Sequence, residues 1–265
     1  MYELTYQRAK SLADAGSLLA ANAEAKLLAG GQTLIPTLKA RLAQPSHVID
    51  LAKVAELKGI AEKGGVLTIG AMTRHVEVAT SAVVKKAIPA LAHLAGLIGD
   101  LQVRNLGTIG GAVANNDPAA DYPAAVLALN ATIKTNKREI KADDYFQGMF
   151  STALGEGEII THLIFAAPKR AAYEKFAHPA SGYAMTGVFI ADTASGVRVA
   201  VTGAGASGVF RWKDAEAALA KDFSAKAIAG LQVDAGECIG DLHAPAEYRA
   251  HLASVMAKRA LEQLA

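Results

Sequence analysis

Residues 105–123 constrain the fold of this chain most, because they are dense in Gly, Asn, Asp and Pro yet lack the charge of a solvent loop. Gly and Pro interrupt regular structure, and no helix or strand is predicted between residues 98 and 123. To either side, short apolar runs of strand length and Ala- and Leu-rich helical stretches follow one another. Runs of strands with separate helices predict an α+β fold in two domains. The Pro-containing polar stretch 166–170 is the candidate linker between them.

The predicted elements are short. Apolar periodicity predicts helices at 11–23, 36–41, 73–79, 88–98, 123–128, 213–221 and 245–264. Thr73 is expected to cap the third of them. It predicts strands at 26–29, 47–51, 66–69, 131–135, 158–165, 183–191 and 196–203.

Charge and cysteine content exclude several classes of protein. A formal net charge of +2 argues against a nucleic-acid-binding protein, which would carry a concentrated basic face. Cys238 is the only cysteine, so the chain forms no internal disulfide and cannot by itself hold an iron–sulfur cluster. The seven histidines form no pair at metal-ligand spacing. The N-terminus lacks a signal peptide and no apolar run is long enough to span a membrane, so we expect a cytoplasmic protein.

The first candidate site is the turn around Gly30 and Gly31, within LAGGQTLIP at 28–36. Two glycines between a predicted strand and a predicted helix let the backbone turn tightly, so that successive N–H groups can point at one anion. Gln32 and Thr33 add side-chain donors. An ordinary strand–helix turn is the alternative interpretation of this segment taken alone.

The second candidate site lies within residues 105–123, which bring together three glycines, a hydroxyl, amides and two carboxylates. Small residues between these groups suit close approach of the backbone to a ligand. Asp121 could accept hydrogen bonds from ribose or ribityl hydroxyls. The alternative is that Asp117 and Asp121 cap helices, a role that the following prolines favour.

A third glycine segment, Gly203–Gly208, matches G-x-G-x-x-G but is interpreted as a turn. The dinucleotide-binding motif requires a helix that starts at once inside a βαβ unit. Here Val209–Trp212 follows instead, and no second parallel strand is predicted. A nicotinamide dehydrogenase built on this segment is therefore disfavoured.

Three segments in this order and spacing carry a specific resemblance: AGGQTLIP at 29–36, IGDLQVRNLGTIGG at 98–111 and NNDPAADYPAAVLALNA at 115–131. With them, the chain resembles the FAD-binding (medium) subunit of the xanthine dehydrogenase and carbon monoxide dehydrogenase family of molybdenum hydroxylases, over essentially its whole length. The resemblance implies a two-lobed FAD-binding domain of the PCMH type at 1–168, with lobes at about 1–55 and 56–168. A small C-terminal α+β domain with a three-stranded antiparallel sheet would follow at 169–265.

The resemblance also implies which residues bind the cofactor. The first turn would bind the diphosphate through backbone N–H groups, and Thr108 with Gly111 would do the same from the second lobe. Ile98 matches an apolar position against the isoalloxazine ring, Ile160 one beside the adenine end or the linker, and Lys175 a lysine near the flavin, where a cation would favour the anionic reduced ring. The implied cofactor-binding residues are Ala29, Gly30, Gly31, Gln32, Thr33, Leu34, Ile98, Thr108, Gly110, Gly111, Asn115, Ala120, Asp121, Ile160 and Lys175.

By the same resemblance, FAD is bound non-covalently, whereas molybdopterin and [2Fe–2S] clusters belong to partner chains only. The chain would have no catalytic residue of its own. It would take electrons from the clusters and pass them to an external acceptor. The implied partners are a large molybdopterin-binding subunit and a small [2Fe–2S] subunit, in a heterotrimer or a dimer of heterotrimers.

Two other functions stay open. A stand-alone flavin oxidase often tethers its flavin through a histidine near the first turn, and no histidine lies in 29–36. A non-catalytic assembly scaffold that has lost FAD is the other alternative. Ala112 leaves the scaffold open, because many relatives have Asn or Ser there and one side-chain contact to FAD is expected to be missing. The intact first turn and Asp121 count against it.

Overall fold

The computed structural model describes residues 1–264, which form short strands and helices. The strands are β1 (Thr5–Arg8), β2 (Lys26–Leu28), β3 (His47–Asp50), β4 (Ile60–Lys63), β5 (Val66–Gly70), β6 (Thr132–Thr135), β7 (Glu139–Lys141), β8 (Phe146–Gly148), β9 (Ser151–Thr152), β10 (Ile160–Ala166), β11 (Arg170–Ala177), β12 (Ala184–Thr193), β13 (Gly196–Thr202) and β14 (Phe210–Arg211). The helices are α1 (Leu12–Ala21), α2 (Leu34–Lys39), α3 (His75–Thr80), α4 (Ala82–Ala87), α5 (Pro89–Gly96), α6 (Leu101–Leu106), α7 (Ile109–Asn115), α8 (Tyr122–Ala128), α9 (Ala142–Tyr145), α10 (Lys213–Leu219) and α11 (Ala246–Glu262).

The N-terminal sheet consists of three parallel strands in the order β1-β3-β2. Helix α1 connects β1 to β2 and begins after Ser11, whose hydroxyl accepts a hydrogen bond from the N–H of Asp14 at 3.1 Å. Ile49 in the central strand is fully buried and belongs to a small apolar core with Val54 and Leu57. Strands β1 and β2 lie at the two edges of this sheet.

The central sheet has five antiparallel strands in the order β4-β5-β10-β6-β7. Strand β10 lies in the middle, where Leu163 pairs with Ile69 on one side and Ile133 on the other. Leu163 and Phe165 are both fully buried, as expected for alternate residues on the core face of a strand. Helices α3, α5, α7 and α8 contribute to the same core.

The C-terminal sheet is antiparallel, in the order β11-β12-β13-β14. Its two faces bury alternate residues of β12 in different cores. Val188 and Ile190 pack with helices α10 and α11, whereas Phe189 and Ala191 join the core of the central sheet. Helix α8 contacts β12 and β13 and is buried along its whole length, so the C-terminal sheet is an integral part of the molecule.

The α+β class predicted from the sequence is confirmed. The C-terminal sheet has three long antiparallel strands, as expected, and a fourth of two residues. The candidate linker is only three residues long, 167–169, between β10 and β11. The division at residue 168 into two domains, with lobes in the first, stays a prediction.

Several local predictions were wrong. Helix α3 begins at His75 and its cap is Arg74, not Thr73, because the N–H of Arg74 donates to the Glu77 carboxylate at 2.8 Å. Residues 105–123 contain α7, a helix that was not predicted and whose first turn is capped by Thr108. Strands β1 and β4 expose most of their side chains, so no apolar alternation predicted them.

Candidate functional site

A cleft of about 550 Å³ is lined by residues of the N-terminal sheet, the central region and the loop between β11 and β12. Its volume is in the range of small-molecule and cofactor sites. The sequence-predicted residues that line it are Ala29, Gly30, Gly31, Gln32, Thr33, Leu34, Ile98, Thr108, Gly110, Gly111, Asn115, Ala120, Asp121 and Ile160. Lys175 lies behind this wall, in contact with Asp121.

Four successive backbone N–H groups are free at the first glycine turn, between β2 and α2. The N–H groups of residues 30–33 donate no hydrogen bond to any group within residues 1–264. Gly31 has φ +73°, a left-handed conformation that glycine adopts without a steric penalty. The Gln32 side chain donates to the carbonyl of Gly30 at 3.1 Å and so stabilises the turn from within. The turn places unpaired donors in the wall of the cleft.

The second glycine turn, at residues 107–111, lies directly against the first. A Cβ added to Gly30 would be 2.3 Å from the carbonyl oxygen of Leu106, and one added to Gly111 would be 3.2 Å from Cβ of Ala29. Gly110 is packed as tightly, because its Cβ would lie 2.5 Å from that of Ala71. Glycine is therefore required where these backbones meet, and the cleft wall at this point is main chain.

In the second glycine turn, some backbone N–H groups are hydrogen-bonded within the chain and one is not. Gly111 N–H donates to the hydroxyl of Thr108 at 3.1 Å, and Gly110 N–H donates to the carbonyl of Ala71 at 2.9 Å. The N–H of Thr108 donates to no group within residues 1–264. Of the two N–H groups expected to bind a diphosphate from this side, Thr108 is the one left free.

Asp121 is buried, and two residues of β11 share its carboxylate. Tyr173 donates its hydroxyl to Asp121 Oδ1 at 2.6 Å, and Lys175 Nζ lies 2.9 Å from the same oxygen. Lys175 also donates to the carbonyl of Gly182 at 2.8 Å. Burial raises the pKa of Asp121, while the ammonium and the hydroxyl oppose that rise. Through these two contacts, Lys175 joins Asp121, just before α8, to the loop between β11 and β12.

The helix-cap interpretation of the two aspartates does not describe their side chains. Asp121 precedes α8 but makes no side-chain hydrogen bond to its first turn. Asp117 Oδ1 accepts from the N–H of Ala119 at 2.9 Å, a turn that stabilises the segment between α7 and α8.

His75 and Tyr122 line the cleft as well, although no role was predicted for them from the sequence. Their ring centroids are 5.3 Å apart, and His75 Nδ1 and the Tyr122 hydroxyl have no hydrogen-bond partner within residues 1–264. Burial, with a smaller effect of Arg104, lowers the pKa of His75 to about 4, so its ring is neutral at neutral pH. Tyr122 lies inside the segment NNDPAADYPAAVLALNA, which was the only available signal for it, and none of the three segments that carry the resemblance contains His75.

The loop between β11 and β12 was also missed, since Ser181–Tyr183 line the cleft. Apolar residues that line other parts of it include Leu51, Met72 and Ile159. Gly203–Gly208 lies between the antiparallel strands β13 and β14 and not in a βαβ unit, as expected for a turn.

Free N–H groups, main-chain walls and apolar lining together fit an elongated ligand with a phosphate group, such as FAD. Within residues 1–264, no group of three or more His, Cys, Asp or Glu side chains could hold a metal ion. None of the helices in the described chain is both long and apolar enough to cross a membrane.

Comparison with known proteins agrees with this geometry. The family model described as FAD binding domain in molybdopterin dehydrogenase matches residues 2–168. The carbon monoxide dehydrogenase medium chain of Hydrogenophaga pseudoflava is 36% identical over 97% of this chain and 95% of its own length. The nicotine 6-hydroxylase medium subunit of Paenarthrobacter nicotinovorans is 36% identical over 97% of this chain and 96% of its own.

A solved structure is similar over the same extent. It is that of carbon monoxide dehydrogenase from Hydrogenophaga pseudoflava lacking the Mo-pyranopterin moiety of the molybdenum cofactor. One chain of it superposes with a TM-score of 0.89 at 36% identity, covering 98% of this chain and 96% of that chain.

Proposed function

This chain belongs to the family of FAD-binding medium subunits of molybdenum hydroxylases, and from this premise we propose that it transfers electrons from [2Fe–2S] clusters on a partner chain to an external acceptor. As a member of the family it is the flavoprotein subunit of a heteromeric oxidoreductase. The division into a two-lobed FAD-binding domain at 1–168 and a C-terminal domain at 169–265 is part of the proposal.

The observation that carries the proposal is the row of four free N–H groups at residues 30–33 beside the free N–H of Thr108. Unpaired backbone donors on two tightly packed turns that line one cleft suit a diphosphate, which needs several hydrogen-bond donors. We assign the diphosphate of FAD to these donors. Asn115, Ala120 and Asp121, which line the cleft, are assigned to the cofactor's surroundings, with Ile98 against the isoalloxazine ring.

When bound, FAD supplies a ring that accepts two electrons and passes them on to an acceptor. The residues of this chain bind and orient it. Ile98 and Ile160 exclude water from the cleft by their apolar side chains. Lys175 acts through Asp121, since its ammonium lies 2.9 Å from that carboxylate.

The partners belong to the proposal. Because Cys238 is the only cysteine, any iron–sulfur cluster must be held by another chain. We assign the [2Fe–2S] clusters to a small subunit and molybdopterin to a large subunit, in a heterotrimer or its dimer. A cytoplasmic location is proposed with them.

The first test is the cofactor content of the full-length chain, purified with the partner chains that accompany it. We expect about one FAD per chain, released intact by denaturation because it is not covalently bound. Chromatography of the released cofactor distinguishes FAD from FMN. Absence of FAD from the complex, together with failure to take up added FAD, would favour the scaffold and reject the proposal.

Electron transfer needs a second measurement. The FAD-loaded chain is mixed with its [2Fe–2S] partner after that partner has been reduced chemically, and the flavin absorbance is followed. We expect the flavin to bleach when the two chains are mixed. A flavin that stays oxidised in the assembled complex would leave FAD binding in place and contradict the electron path.

A further inference from the structure

The segment 117–121, which lines the cleft between α7 and α8, is held largely from the C-terminal sheet. Thr202, the last residue of β13, donates its hydroxyl to the carbonyl of Ala120 at 2.7 Å and lies 3.1 Å from the carbonyl of Pro118. The N–H of Gly203 donates to the carbonyl of Pro118 at 2.8 Å. Gly203, the first residue of the G-x-G-x-x-G-like stretch, and Thr202 just before it thus both contact the segment that lines the cleft.

Thr202 itself does not line the cleft. Its side chain is fully buried, so it can act on a bound molecule only indirectly, and its two side-chain hydrogen bonds both go to the main chain of segment 117–121. Within residues 1–264, the Thr202 hydroxyl is the only hydrogen-bond donor to the carbonyl of Ala120, whereas the carbonyl of Pro118 keeps Gly203 as a second donor. Loss of the hydroxyl would leave Ala120 without its partner.

The carboxylate of Asp121 is held by another strand of the same C-terminal sheet. Tyr173 and Lys175 of β11 fix its carboxylate, and Thr202 fixes the carbonyl of the residue before it. The position of Asp121 in the cleft wall therefore depends on β11 and β13 together.

We propose that Thr202 is a positioning residue for the flavin, which orders segment 117–121 from the C-terminal sheet and so sets the place of Asp121 in the FAD site. The inference rests on the proposed function, because the positioned ligand is FAD. The chain's C-terminal sheet is then a part of the cofactor site and not an appendage to it.

The test compares Thr202→Val with Thr186→Val in the full-length chain. Valine replaces the hydroxyl by a methyl group of similar volume. Thr186 is a matched control, since it is fully buried on the neighbouring strand β12 and its hydroxyl lies 2.8 Å from the carbonyl of Met185 and 3.5 Å from that of Arg249, with no bond to segment 117–121. We expect Thr202→Val to weaken FAD binding by about fivefold to tenfold, the effect of one lost hydrogen bond. Thr186→Val should bind like the unchanged chain.

Two further readouts separate positioning from general stability. The visible spectrum of bound flavin should shift in Thr202→Val and return to normal in Thr202→Ser, which keeps the hydroxyl. Hydrogen exchange at the amides of residues 119–124, measured without FAD, should be faster in Thr202→Val than in Thr186→Val. If Thr202→Val does not fold, Thr202→Ala is compared with Thr202→Ser, since these two differ only in the hydroxyl.

The outcomes distinguish this inference from the proposed function. An unchanged chain that never takes up FAD would overturn both. A chain that binds FAD, with Thr202→Val equal to it in affinity, spectrum and exchange, would overturn the positioning role alone. A Thr202→Val variant that melts earlier but binds FAD unchanged would show that Thr202 is only structural.

Discussion

Gly30 shows how little room a single residue has in this site. Its missing Cβ would lie 2.3 Å from the carbonyl oxygen of Leu106 and 2.6 Å from Cα of Gly107, so the backbones of two segments would have to move apart. We expect Gly30→Ala to lower the free energy of unfolding by about 1–3 kcal/mol and to weaken FAD binding. Urea denaturation followed by circular dichroism and an FAD titration measure the two effects.

Gly16→Ala is the matched control for that substitution. Gly16 lies inside α1, where an added Cβ meets nothing within 4 Å, so alanine should stabilise the helix by about 0.5–1 kcal/mol. If the two variants had the same stability, close packing at Gly30 would not be the reason for its glycine.

The second prediction at the residue scale concerns His75 and pH. Burial lowers its pKa to about 4 in the folded chain, against about 6.5 when unfolded. The folded state therefore binds fewer protons, and stability is complete above pH 6.5 and falls as the pH is lowered towards 4. The loss due to this residue should reach about 3 kcal/mol at pH 4. Urea denaturation across this range should give a flatter pH dependence for His75→Gln; equal slopes would refute the prediction.

At the scale of the elements, the hairpin β8–β9 is clamped by one residue. Asn116 has φ +44° and donates its side-chain N–H groups to the carbonyls of Gly148 and Ser151, at 2.7 and 2.8 Å. Asn116→Ala should lose about 2–4 kcal/mol of stability, from two hydrogen bonds and the left-handed backbone. Asn116→Gly should lose about 1 kcal/mol less than Asn116→Ala. Both variants lose the two hydrogen bonds, but glycine adopts the left-handed backbone without the steric penalty that alanine has.

Asn130→Ala is the control for Asn116, measured by the same denaturation. Asn130 also has a positive φ, of 50°, but its side chain makes no hydrogen bond within residues 1–264. It should lose only about 1 kcal/mol. Similar losses for Asn116→Ala and Asn130→Ala would show that the clamp contributes little.

At the scale of the whole molecule, Arg198 links the C-terminal sheet to the core of the central sheet. Its buried guanidinium donates to the carbonyl of Leu127 at 2.9 Å and to the carboxylate of Asp143 at 3.1 Å. We expect Arg198→Met to cost about 2 kcal/mol, because the Leu127 carbonyl loses this donor while Asp143 can be rehydrated. Fluorescence of Trp212, the only tryptophan, follows unfolding of the C-terminal part.

The control at this scale is Arg170→Met. Arg170 is itself exposed, pairs with the partly buried Asp192 at 3.4 Å and lies 3.7 Å over the Phe223 ring, and its substitution should cost only about 1 kcal/mol. A similar destabilisation by both substitutions would mean that the buried link is not what joins the C-terminal sheet to the rest of the molecule.

The sequence predicted the parts of the site that depend on local chemistry. The double glycine at 30 and 31 lies in the cleft wall because a tight turn with free N–H groups requires residues without side chains. The role of Thr108 came from resemblance, whereas Asp121 was a candidate already from its carboxylate among small residues; the structure places both at the same cleft. Whether these residues contact FAD stays a prediction.

By itself, the sequence determined the α+β class, most of the strands with an apolar core face, and the glycine turns, because each depends on the periodicity or flexibility of a short stretch. Only the tertiary structure decided that the loop 181–183 joins the cleft wall and that Thr202 holds the carbonyl of Ala120, 82 residues earlier in the chain. Such contacts depend on strand register and on how two sheets pack around α8. No local pattern of residues encodes them.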